Sequence, residues 1–329
     1  MRKALAIFLL ATGLALAGGY PTMGGVIRLD PRLDQLLAPE AKVEVIASGF
    51  TWCEGPVWDR HDHSLLFSDA PHNHALRWKE GKGVEVYLEP SGYTGILPYS
   101  AEPGSNGLAL DTRGRLISCE HGDRRVSILE DGKRTLADNY QGKRFNSPND
   151  LILSKKGDIY FTDPPYGLPQ QAKDPRRQLP YSGVFRIGTD GRVDLLTSEL
   201  TYPNGIAFSP DEKTLYVSQS DPARAIWMAY PVGPDGLLGP GRVLRDVTDL
   251  VGEKMPGLPD GFEVDQHGNL WASGPGGLWI MAPDGTPLGR IDTGHIISNC
   301  AWGDDGSTLY ITDDDYLVRI RTLTRGLGW

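Results

Sequence analysis

Cysteine is scarce: 329 residues hold three, at positions 53, 119 and 300. They allow at most one internal bridge, which excludes a small disulfide-stapled scaffold. After the first 17 residues no apolar run is long enough to span a bilayer, and no segment keeps a helical period. There is no Gly-x-Ser-x-Gly elbow, so the chain carries no sign of a serine hydrolase of that type. Basic clusters are missing too. Lys and Arg number 33 against 42 Asp and Glu, for a net charge of −9. That balance disfavours nucleic acid and anionic membrane as partners.

Glycine and proline are plentiful instead, 41 and 25 residues, as in a protein of short strands and tight turns. Six stretches line up on one another, starting at Glu54, Asn106, Asn149, Asn204, Asp260 and Asn299. Successive starts lie 52, 43, 55, 56 and 39 residues apart. A polar turn and a second apolar strand follow each one. A multi-strand repeat of about 50 residues predicts an all-β, six-bladed propeller over residues 41–329. Only about three strands belong to the last repeat. The alternating segment near residues 42–47 is therefore expected to complete that blade and close the ring.

The chain begins differently. Arg2 and Lys3 precede an apolar run, and Ala15-Leu16-Ala17 has the small-x-small form of a cleavage site, so residues 1–17 read as a signal peptide. A periplasmic or secreted protein, free of the membrane after cleavage, is the expectation. Residues 18–40, rich in Gly, Pro and charge, read as a linker or strap. In an oxidising compartment Cys53 and Cys300, brought close by ring closure, form either a bridge or two buried thiols.

Equivalent positions of successive blades encircle one axis. The six repeat starts therefore form a ring of oxygen-bearing side chains around a channel. Two carboxylates and up to four amide oxygens suit a hard cation, calcium before magnesium. No His or Cys belongs to the ring, which argues against a thiolate- or imidazole-type zinc centre. The competing view is that Asn-Gly and Asp-Gly are ordinary turn pairs. Glu54-Gly55 in the same register weighs against it, because Glu is a poor turn former. Two long segments, 89–105 and 164–183, should rim the same face. His121 shares that face, as a proton donor or as a loop histidine held by Glu120 or Asp123. The tryptophans, Trp52 among them, mostly fall in strands and read as packing between blades.

Several motifs in this order resemble the gluconolactonase–regucalcin (senescence marker protein) family. They are Glu54-Gly55-Pro56-Val57-Trp58, Arg144-Phe145-Asn146-Ser147-Pro148-Asn149-Asp150, Thr162-Asp163-Pro164-Pro165-Tyr166-Gly167, Tyr202-Pro203-Asn204-Gly205 and Pro259-Asp260-Gly261-Phe262. Cys119-Glu120-His121-Gly122 resembles its bacterial gluconolactonase-like branch. The resemblance implies one divalent cation, usually calcium, in the channel, with zinc, magnesium and manganese as alternatives. Glu54, Asn149, Asn204 and Asp260 match its ligand positions, and Asp260 matches the general base. Arg144 falls near a substrate-binding arginine of the family; Asn106 and Asn299 in the ring and Tyr166 on the second rim segment are the further expected substrate contacts, and His121, by its place on that face, a second catalytic residue. The implied reaction is hydrolysis of a sugar lactone, and since a closed propeller needs no partner a monomer is expected. A non-catalytic sugar- or calcium-binding propeller and a metal-dependent esterase or phosphotriesterase are the alternatives.

Overall fold

The computed structural model describes residues 19–329, so the leader assigned to residues 1–17 lies outside the described residues. Each of the six repeat starts lies at the beginning of the innermost strand of an antiparallel sheet, among its first three residues or two residues ahead of it. Those strands are Cys53–Asp59, Ser105–Leu110, Leu151–Leu153, Pro203–Phe208, Phe262–Val264 and Ile297–Gly303. The sheets of blades one to four have four strands, and those of blades five and six have five. Every innermost strand packs on those of both neighbouring blades, the sixth on the first. The ring is closed, and the fold is a six-bladed propeller.

The second strand of a blade has sheet on both faces, so it is buried throughout its length. Ser64–Asp69, Leu116–Glu120, Ile159–Asp163, Leu270–Gly274 and Thr308–Asp313 contain no exposed residue. Such strands have no reason to alternate apolar with polar. Between blades the aromatic side chains interdigitate. Trp58 of blade one stacks on Tyr310 of blade six at 5.2 Å, and Trp271 meets Trp302 edge-on at the same distance. The reading of the tryptophans as packing holds for these, for Trp78 and for Trp227. Trp52 departs from it, as described below.

Closure follows the expected route: Val43–Ser48 pairs antiparallel with Tyr316–Arg321. Residues 19–40 are more than a strap. Thr22–Met23 adds to the outer edge of blade six, and Gly25–Arg28 to that of blade five. Between those strands and the closing strand, Leu33 and Leu37 are fully buried in the core shared by the two blades. These short strands lacked sequence signal because two to four residues cannot show a period. Cys53, Cys119 and Cys300 are free buried thiols.

Candidate active site

Four of the six inner strands carry a β-bulge where the ring residue stands. The ladders shift between Glu54 and Val57, Ser105 and Leu108, Pro203 and Ile206, and Ile297 and Asn299. A bulge turns one side chain out of the pleat, and here it turns Glu54, Asn106 and Asn204 into a cavity on the channel axis. The Asx-Gly pairs are therefore not hairpin turns. Their glycines sit where the neighbouring blade passes: a Cβ on Gly55 would lie 2.0 Å from the Asn106 carbonyl oxygen, and one on Gly205 2.4 Å from that of Asp260. Gly107 donates its N–H to the Asn149 carbonyl at 2.7 Å. A hydroxyl on the second strand adds a recurring bond to the next blade. Ser68, Thr162 and Ser218 donate to the carbonyls of Asn106, Asn204 and Asp260 at 2.8, 2.7 and 2.8 Å.

The cavity has a volume of about 500 Å³. Glu54, Asn106, Asn149, Asn204 and Asp260 form its floor, as expected, and Tyr166 lines its wall. An amide chain fixes their orientation. Asn149 Nδ2 donates to Asn204 Oδ1 at 2.6 Å, Asn204 Nδ2 to Ser220 Oγ at 2.9 Å, and Ser220 to the Pro259 carbonyl at 2.6 Å. Each amide oxygen keeps a second lone pair. Burial, and then the charge of Asp150, push Glu54 up to about 8. Burial, with the charges of Glu54 and Asp150 behind it, lifts Asp260 well above the usual carboxylate range. No Lys, Arg or His lines this cavity. Asp260 Oδ1 and Asn106 Oδ1 are buried without a hydrogen-bond partner.

Three expected site residues lie elsewhere. His121 is fully buried one layer behind the ring, its Nε2 3.0 Å from Asn149 Oδ1 and its Nδ1 3.3 Å from the Glu102 carbonyl. Burial pulls its pKa down; with Asn149 Nδ2 already given to Asn204, it is Asn149 Oδ1 that accepts from Nε2, and His121 orients the amide. It does not line the cavity. Arg144 is exposed, and its guanidinium donates to the Asp123 carbonyl. Asn299 faces away from the cavity, into a narrow channel segment, with Nδ2 3.5 Å from Asp150 and Glu263 beside it.

Other cavity residues were not anticipated. Trp52, just ahead of the first inner strand, places Nε1 3.3 Å from Glu54 Oε1. Glu102 comes from the first rim segment and Gln171 from the second. A third segment, residues 251–258, supplies Val251, Met255 and Leu258 as an apolar wall with Ile296. Its Gly/Pro-rich composition was a usable signal. His72 pairs with Asp69 at 2.8 Å, and Tyr93 and Tyr99, on the first rim segment, stack on each other at 5.0 Å.

In the narrow segment, burial and the Asp150 charge push Glu263 up to about 8 from 4.5. A carboxyl raised on folding costs nothing below its unfolded value, costs progressively more from about pH 4.5 to 8, and a constant amount above. Discounted for residual access to solvent, the cost at pH 8 is about 1–2 kcal/mol. Glu263→Gln should therefore raise Tm at pH 8 and leave it unchanged at pH 4. Equal Tm values for both proteins at pH 8 would contradict this.

Residues 52–314 match the family described as SMP-30/Gluconolactonase/LRE-like region. A gluconolactonase of Zymomonas mobilis is 44% identical over 313 residues, 93% of this chain and 88% of the relative. A solved gluconolactonase of Xanthomonas campestris superimposes with a TM-score of 0.78 at 33% identity, over 92% of this chain and 97% of that one. A calcium-binding regucalcin from Agrobacterium tumefaciens shares the fold at 18% identity and a TM-score of 0.67, over 93% of this chain and 96% of that one.

Proposed function

Since this chain belongs to the SMP-30/gluconolactonase/LRE-like family and is a lactonase, we propose that its substrate is a sugar lactone, opened by water that Asp260 activates beside a divalent cation. One observation carries the reading. Two buried carboxylates, one of them with an unpartnered oxygen, share the cavity floor with the unpartnered Asn106 oxygen, and no positive side chain lines the cavity. Buried charge of one sign without compensation is costly, and an all-oxygen set of this kind fits a hard cation. Glu54, Asn149, Asn204 and Asp260 would hold it. When bound, the ion, calcium first and zinc, magnesium or manganese as substitutes, supplies the positive charge that polarises the lactone carbonyl.

The chain's own groups do the rest. Asp260 Oδ1, unpartnered and facing the cavity, takes a proton from water as the water oxygen bonds to the carbonyl carbon. The same carboxyl returns the proton to the ring oxygen when the C–O bond opens, giving the hydroxy acid. His121 and Ser220 hold the two amides from behind, so the ring needs little reorganisation during the reaction. Tyr166, stacked on Tyr202 at 5.7 Å, and the 251–258 wall flank the sugar.

Removing the ion should abolish turnover and leave Glu54 and Asp260 uncompensated. Re-addition at a hundred times Kd should return about 2.7 kcal/mol, a Tm rise of several degrees. Proton release from a panel of aldonolactones, before and after EDTA and with each metal restored, tests the proposal. Full turnover in EDTA, or no turnover with any metal, would overturn it.

A further inference from the structure

We propose, resting on the sugar-lactone reading, that Glu102 is a specificity-determining residue. It keeps the cavity net negative, so that the enzyme admits neutral polyhydroxy lactones, rejects anionic ones and expels its own anionic product. Glu102 lies in the rim segment between blades one and two and lines the same cavity as Glu54 and Asp260. Its side chain is 35% exposed, at the level of the mouth rather than the floor. A divalent cation held on the floor would offset the charges of Glu54 and Asp260; Glu102 is then the third acid, and no Lys or Arg lines the cavity to offset it. The nearest nitrogen base is His121, with Nδ1 3.9 Å from Glu102 Oε2 and no exposed surface of its own. Glu102 accepts no hydrogen bond from any Lys or Arg among the described residues.

The chemistry of the reaction gives this charge a use. A lactone is uncharged, whereas ring opening creates a carboxylate and releases a proton at neutral pH. A fixed negative charge at the mouth leaves substrate entry unaffected and raises the free energy of the bound product. The carboxylate also offers two strong acceptors to sugar hydroxyls. A lactone that carries a phosphate or sulfonate on its exocyclic carbon would bring its anion toward Glu102. Repulsion across a partly solvated cavity is worth roughly tenfold or more in affinity.

The test compares wild type and Glu102→Gln, each loaded with calcium, on glucono-δ-lactone and its 6-phosphate, with gluconate as inhibitor. The expected result is a rise of about tenfold in kcat/KM for the phosphorylated lactone and gluconate inhibition about tenfold tighter. KM for the neutral lactone should rise as a hydroxyl acceptor weakens. Added salt should narrow the selectivity of the wild type and leave that of the variant unchanged. A merely damaged variant loses activity on both lactones and cannot gain on one. Unchanged selectivity and unchanged product inhibition in an active variant overturn the role of Glu102 alone. Absence of turnover on both lactones in the wild type overturns the sugar-lactone reading beneath it.

Discussion

Asp260→Asn should lose two to four orders of magnitude in kcat on the best lactone, the range that a positioned general base contributes, while keeping the fold. The substitution is isosteric. The backbone that places residue 260 is held independently of its side chain, by Ser218 on the carbonyl and by Gly261 donating to Ser298 at 2.7 Å. It also removes a buried carboxyl whose charge is opposed by burial and by Glu54 and Asp150. The metal-free variant should therefore be more stable than the metal-free wild type at pH 7 and above. That advantage should disappear below pH 4, where the unfolded carboxyl is protonated as well. Calcium should stabilise the variant less than the wild type, because one ligand charge is gone. Thermal melts with and without EDTA, read beside initial rates, check each part. Turnover within tenfold of wild type would remove Asp260 from the role of base.

Gly55→Ala should be among the most damaging single-methyl changes in the chain. Gly55 has φ of 49°, where an L side chain costs roughly 1–2 kcal/mol. Its new Cβ would also lie 2.0 Å from the Asn106 carbonyl oxygen, in the backbone of the next blade. Neither blade can yield without shifting a ring residue, Glu54 on one side or Asn106 on the other. A loss of more than about 3 kcal/mol and of calcium-dependent stabilisation is expected. Gly25→Ala is the control, since open space surrounds that position on an edge strand. It should change stability by less than about 1 kcal/mol. Urea melts of the two variants decide the matter, and a mild Gly55→Ala would mean that the blades can slide past each other.

The number of blades and the identity of the floor residues were legible because both depend on register. A repeat of strand, turn and strand places the same residue at the same height in every blade, and alignment alone exposes it. Depth is harder to read. His121 and Asn149 are equally polar in sequence, yet one stands behind the ring and the other in it. Behind the ring, Gly167 packs directly on the His121 side chain, where a larger residue would collide with it. Asn299 stands in register but turns toward Asp150; the blade-six bulge falls ahead of the ring residue, between Ile297 and Asn299, rather than at or after it as in blades one, two and four. Arg144 sits close in sequence to Asn146, whose amide is bonded to Asp163 and Tyr181 carbonyls. Proximity along the chain said nothing about which way the arginine turned. Trp52 was grouped with the packing tryptophans although it precedes the strand, and the 251–258 wall was overlooked because its apolar residues show no period.

The pairing of the first strands with the last sheets also governs when the molecule can become whole. Glu44 and Arg319, ion-paired at 2.8 Å, stand 275 positions apart in the chain. During synthesis the early segment has nothing to pair with until almost all of the polypeptide has been made. Blades one to four can assemble in the order they appear, each on the one before, as their contacts are local. The seam cannot. It requires the two ends to meet after everything between them is in place, and a closure over so long a span is slow relative to local hairpins. Until then the facing sides of blades one and six stay open, with Trp58 and Tyr310 unmatched. A chain shortened at its tail by a single strand would thus keep five near-complete sheets and have no final step available to it.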